Sequence, residues 1–96
     1  MPLIKRTISV VHRQGLHARP AALFVQLAKQ LESQVTVKKG RKIVDGKSIM
    51  GLLTLAAGPG ARISIILDGP DAADGIERLI DLVTRPLPDP ARRHPA

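Results

Sequence analysis

Two hydrophobic periods alternate along this chain, and their order restricts the fold more than any other property of the sequence. Ile4 to Val11 places Ile4, Ile8 and Val10 at even positions with Lys5, Thr7 and Ser9 among the rest, the approximate period-two pattern of a strand. From Ala18 to Leu31 the period changes. Ala21, Ala22, Val25 and Ala28, with Leu23, Phe24, Leu27 and Leu31, form a wide stripe at helical spacing, which assigns Phe24 to the core. Val35-Thr36-Val37 and Ile43-Val44 are short β-prone runs joined through Lys38-Lys39-Gly40-Arg41-Lys42, a hairpin with Gly40 in its turn. Asp45-Gly46-Lys47 leads to Ser48, which precedes the apolar run Ile49 to Ala57 before Gly58-Pro59-Gly60 stops it, so a short helix with a serine N-cap is predicted. Ile63, Ile65 and Leu67 alternate with Arg62, Ser64 and Ile66 in a fourth strand that ends at Asp68-Gly69-Pro70. Asp71, with Asp74 three residues later, opens a last helix.

The order β-α-β-β-α-β-α, with helices returning between strands, predicts an α+β fold of two layers. Its three helices pack on one face of a four-stranded, mainly antiparallel sheet, and the other sheet face is left open. The 96 residues suit one small domain with a modest core. After Val83 the repeated prolines of Thr84 to Ala96 forbid a helix or a central strand. A domain over residues 1–84 and a mobile proline-rich tail over 85–96 are therefore expected.

Several function classes are excluded or weakened by composition. The absence of cysteine removes disulfides and thiolate zinc sites and points to a reducing compartment, the cytoplasm by default. Met1-Pro2-Leu3-Ile4-Lys5-Arg6 has no continuous apolar segment of the secretory type, and the longer apolar runs elsewhere are too short to span a bilayer. Net charge is +7, with most cations before Gly69 and the acids gathered at Asp71, Asp74, Glu77 and Asp81. A basic body of this kind suits an acidic protein surface, an anionic membrane or nucleic acid, or is simply a solvated surface. Nucleic-acid stacking is poorly supported because Phe24 is the sole aromatic residue, although duplex phosphate contact stays open. No carboxylate lies near His17 in sequence and no Ser-His-Asp set is evident, which disfavours a histidine-dependent hydrolase.

Gly15-Leu16-His17-Ala18-Arg19-Pro20 places an imidazole and a guanidinium where the first strand gives way to the first helix. Pro20 has a fixed φ and no N–H, so it is tolerated in a first helical turn and pins the helix start near residues 17–19. The N–H groups of that turn have no intrahelical partners, and together with the helix dipole they favour an anion and disfavour imidazolium. A neutral His17 keeps a lone pair for nucleophilic attack, and Arg19 offers charged donors to phosphate or carboxylate oxygens. The same histidine also fits a plain helix-end residue, and the hexapeptide alone leaves both readings open. Ser48 is explained by helix capping, yet a phosphate on it would set nearly two negative charges beside Ile49, Met50 and Leu53. Those apolar residues fit either the core or an exposed docking patch.

Gly15-Leu16-His17-Ala18-Arg19-Pro20-Ala21 together with Lys47-Ser48-Ile49-Met50-Gly51-Leu52, in this order and separation, resembles the HPr family, the histidine-containing phosphocarriers of the bacterial phosphotransferase system. The resemblance spans residues 3–84. It implies a carrier rather than an enzyme, with no cofactor and no metal, acting as a cytoplasmic monomer without membrane insertion or a nucleic-acid partner. It implies that enzyme I, phosphorylated by phosphoenolpyruvate, passes a phosphoryl group to Nδ1 of His17, and that a IIA-type protein receives it. Arg19 would neutralise the phosphate, and the backbone N–H groups of Ala18 and Arg19 would receive the anion. Ser48 matches the serine modified by an HPr kinase/phosphorylase. Ile49, Met50 and Leu53, flanked by Lys29 and Arg19, match the family's docking surface. Gln14 departs from the Asn or Ser frequent before the glycine of the histidine motif, so any helper contact from that position is left unassigned. Sugar uptake and a nitrogen-related or regulatory branch remain alternatives.

Overall fold

The protein is described by a computed structural model over residues 3–10, 18–55, 58 and 60–85. The elements run β1 (Leu3–Ser9), α1 (Ala18–Lys29), β2 (Gln34–Lys39), β3 (Lys42–Asp45), α2 (Ile49–Thr54), β4 (Arg62–Asp68) and α3 (Ala72–Thr84). The sheet order is β1-β4-β2-β3 and every pairing is antiparallel. This is the α+β arrangement that the alternating periods predict.

Register places the hydrophobic set on one side. Ile4 and Ile8 face Leu67 and Ile63 across β1 and β4, while Val35 and Val37 face Leu67 and Ile65 across β2 and β4. Against this face lie Ala21, Phe24, Val25 and Ala28 of α1, Leu52 of α2, and Ala72, Ile76, Leu79 and Val83 of α3, all buried. The spacing of the α1 and α3 residues is that of a single helical stripe. Burying Phe24 completely contributes about 2–3 kcal/mol. The intervening residues of each strand, among them Lys5, Thr7, Ser64, Thr36 and Lys38, occupy the uncovered face, where the Thr7 and Ser64 hydroxyls lie 2.9 Å apart. Arg6 pairs with Ile65 on the helical side and reaches Glu77 of α3 at 3.5 Å.

Element ends differ from the periodic reading for local reasons. Helix α1 stops at Lys29 because the N–H groups of Gln30 and Leu31 bond three residues back, to Leu27 and Ala28; Leu31 stays buried beyond the helix. Regular pairing of β1 ends at Ser9, yet Val10 still exchanges hydrogen bonds with Gly60 and Ala61 and is buried. Helix α2 ends at Thr54 rather than Ala57. The Thr54 hydroxyl donates to the Gly51 carbonyl at 2.7 Å, and the Leu55 N–H bonds to Leu52, so the last turn tightens and closes. Gly40, with φ +60°, makes the β2–β3 turn, a conformation that favours glycine.

Asp71 precedes α3, as expected, but its carboxylate does not cap that helix. It accepts instead from the backbone N–H groups of Glu32 and Ser33, at 2.8 and 3.0 Å, and from the Ser33 hydroxyl. Arg85 follows the end of α3 and pairs with Asp81 one turn earlier. The remainder of the expected tail lies outside the described residues.

Candidate functional site

The described part of α1 begins at Ala18, the residue after His17. His17, Gly15, Gln14 and His12 lie outside the described residues. Helix α1 runs for 12 residues, and its own first turn carries no acidic side chain against the positive end of the helix dipole. Pro20 sits in that turn and contributes no N–H, which leaves the donors of Ala18 and Arg19 at the helix start. The Arg19 residue is exposed. Lys29 occupies the last turn, also exposed, where its charge complements the carbonyl end of the helix.

Helix α2 packs beside α1. Ser48 has extended backbone angles, φ −115° and ψ 116°, and its Oγ accepts from the Gly51 N–H at 3.1 Å, so the predicted N-cap is formed. The Asp45 carboxylate accepts from the Lys47 N–H at 2.9 Å and tightens the approach to α2. Gly46 passes against Val35, where a Cβ would meet the Val35 side chain at 2.4 Å. Six residues make little helix, and their apolar side chains divide. Leu52 is fully buried, as is Leu55 just beyond the helix, while Ile49, Met50 and Leu53 are 39%, 67% and 37% exposed. The fold thus leaves those three residues as an apolar outer face.

Three lysines to which the sequence reading gave no role also bear on α2. The Lys47 ammonium donates to the Leu31 carbonyl at 2.8 Å, joining the entrance of α2 to the chain just past α1. The ammonium groups of Lys42 and Lys39 donate to the carbonyls of Thr54 and Leu55. No local pattern announces these bonds, because each spans 12 or 16 residues. Among the described residues no cluster of three or more His, Asp or Glu side chains could hold a metal, and no helix is long and apolar enough to cross a membrane.

A family model for the PTS HPr component phosphorylation site matches residues 4–85. The phosphocarrier protein HPr of Neisseria meningitidis serogroup B is 43% identical over 81 residues, which is 84% of this chain and 91% of that protein. The HPr-like protein Crh of Halalkalibacterium halodurans is 41% identical over 83 residues, 86% of this chain and 99% of that protein. The crystal structure of the phosphocarrier protein HPr from Bacillus anthracis superposes with a TM-score of 0.83 at 40% identity, covering 85% of this chain and 98% of that one. With the family model spanning nearly the whole described sheet and helical layer, this chain belongs to the HPr family, the non-enzymatic phosphocarriers of the phosphotransferase system.

Proposed function

We propose that this chain works as an HPr proper, taking a phosphoryl group from phosphorylated enzyme I on Nδ1 of His17 and delivering it to a IIA-type protein in the cytoplasm. The observation that carries this reading is a 12-residue helix that begins at the residue following His17 in sequence, has no first-turn acid and carries Arg19 at its start. In the forward step the Nδ1 lone pair attacks phosphorus, the donor's bond to phosphorus breaks, and the phosphoryl group moves without release to water. The reverse exchange passes it on. Catalytic power then rests on positioning and charge. The N–H groups of Ala18 and Arg19 receive phosphate oxygens, and the Arg19 guanidinium offsets their charge. Ile49, Met50 and Leu53 form the surface on which both partners dock, with Lys29 flanking it.

Ser48 supplies control in this reading. An HPr kinase/phosphorylase would place a phosphate at the entrance of α2, beside the docking residues, where added negative charge opposes an acidic partner. A role like that of Crh, the catabolite repression HPr of Bacillus subtilis, is the second reading, favoured by the 41% identity to the Crh of Halalkalibacterium halodurans and by the half-buried, capping Ser48 at the entrance of α2. Crh of Bacillus subtilis was solved as a swapped dimer and HPr of Thermoanaerobacter tengcongensis as a dimer. For this chain a monomer is proposed, because edge strand β1 carries Lys5 and Arg6, charges that discourage edge-to-edge pairing of two copies.

Incubation with enzyme I and labelled phosphoenolpyruvate tests the assignment. Acid-labile, base-stable label is expected on the wild type and on Ser48→Ala, and none on His17→Ala; label retained by His17→Ala overturns it. Label with ATP and an HPr kinase should be acid-stable and lost in Ser48→Ala. Arg19→Ala should slow transfer about tenfold or more, the loss of one charge-assisted contact. If His17 accepts no phosphoryl group in the wild type while Ser48 does, the regulatory reading replaces the carrier.

A further inference from the structure

Lys39 and Lys42 stand directly opposite each other in the β2–β3 ladder. Like charges so placed destabilise a strand pair unless something negative lies between or beside them. Here both ammonium groups are aimed at one target. Lys42 donates to the Thr54 carbonyl and Lys39 to the Leu55 carbonyl, the two oxygens at the exit of α2. That end of a helix carries unpaired carbonyls and partial negative charge, and α2 has no basic residue of its own in its last turn. The hairpin supplies the cations that the helix lacks.

The consequence concerns orientation. A helix of six residues does not persist alone, and α2 buries only Leu52 within its span. Its entrance is fixed by the Ser48 cap and by Lys47 on Leu31. Its exit is fixed by Leu55 in the core and by the two lysines. We propose that Lys39 and Lys42 are positioning residues for partner docking: by holding the carbonyl end of α2 they keep Ile49, Met50 and Leu53 in the single orientation that a partner reads. This rests on α2 being the docking helix. It also gives two lysines of the basic hairpin Lys38-Lys39-Gly40-Arg41-Lys42 a task inside the fold.

The test compares Lys42→Gln, the Lys39→Gln/Lys42→Gln pair, Lys42→Arg and Met50→Ala as substrates of enzyme I, together with amide exchange of the free proteins at Leu53 and Leu55. Lys42→Gln should raise KM about two- to fivefold with kcat unchanged, the size expected for one cation at a helix end. The double variant should exceed it, exchange at Leu53 and Leu55 should quicken in both, and Lys42→Arg should restore both readouts. A raised KM with unaltered exchange overturns positioning, since the lysines would then touch the partner directly. If Met50→Ala raises KM while the lysine variants do not, the positioning role alone falls. If Met50→Ala leaves transfer unchanged, the docking helix and this role fall together.

Discussion

The Asp71 carboxylate, at the entrance of α3, accepts hydrogen bonds from both the hydroxyl and the backbone N–H of Ser33, 38 residues earlier in the chain. Ser33 is fully buried, so its hydroxyl needs a partner inside the protein, and this carboxylate is that partner. The Ser33 hydroxyl and, next, the Glu32 N–H hold the Asp71 carboxyl below its ordinary range, against a smaller opposing effect of desolvation. One side chain thereby ties the α1–β2 connection to the start of the last helix.

Acid should weaken that tie in a defined direction. Because the folded-state pKa of Asp71 is lowered, its contribution is fully present above the ordinary carboxylate value of 3.8 and is lost as pH falls through the lower folded value. Denaturant midpoints of wild type and Asp71→Asn, compared between about pH 6 and pH 2, should differ most at the upper end and converge toward the lower. A gap that stays constant across the range would show that the charge of Asp71 contributes nothing.

Gly69 approaches the same serine. A Cβ there would lie 2.5 Å from the Ser33 Cα and 2.6 Å from its Oγ, and the first of these atoms is backbone that cannot swing away. Gly69→Ala should therefore cost about 1–3 kcal/mol in urea unfolding, the range for overpacking. Its effect should not add to that of Asp71→Asn, because both substitutions displace Ser33.

What the sequence disclosed follows the range of the interactions. Phe24, the Gly40 turn and the Ser48 cap were legible because each is set by neighbours within a few residues. The strand alternation at Ile63, Ile65 and Leu67 was legible because a two-layer fold gives each strand one wet face. Asp71 looked like a helix cap since its true partners are 38 and 39 residues away. The lysine contacts with α2 were hidden for the same reason. Ile49 to Leu55 is apolar almost all round, so pattern could not say which side faces water; packing of Leu52 and Leu55 against the core decides it. The histidine and serine motifs of the family were readable as residues in order, whereas the placement of α2 beside α1 is a property of the fold.

That division within α2 should separate stability from the proposed docking. Leu52→Ala, at a fully buried position, should lower unfolding free energy by about 2–5 kcal/mol. Met50→Ala, at a position 67% exposed, should change it by less than about 0.5 kcal/mol. Phosphoryl transfer from enzyme I should respond in the opposite sense, with Met50→Ala raising KM at full stability. Equal stability losses in the two variants would place Met50 in the core.

Ser48 carries two properties that substitution can part. Its Oγ caps α2 through the Gly51 N–H, and it stands next to the exposed Ile49 and Met50, where, on the proposed docking, added charge would meet the partner. Ser48→Ala loses the cap and should cost about 1 kcal/mol of stability, with transfer from enzyme I largely retained. Ser48→Asp keeps an acceptor that is favoured at N-caps and should hold stability near wild type, while its negative charge slows transfer about tenfold. Thermal melts read the first property and the rate of label transfer from phosphorylated enzyme I reads the second. If Ser48→Asp transfers at the wild-type rate, charge at the entrance of α2 has no bearing on the partner, and Ser48 serves this protein as a cap alone.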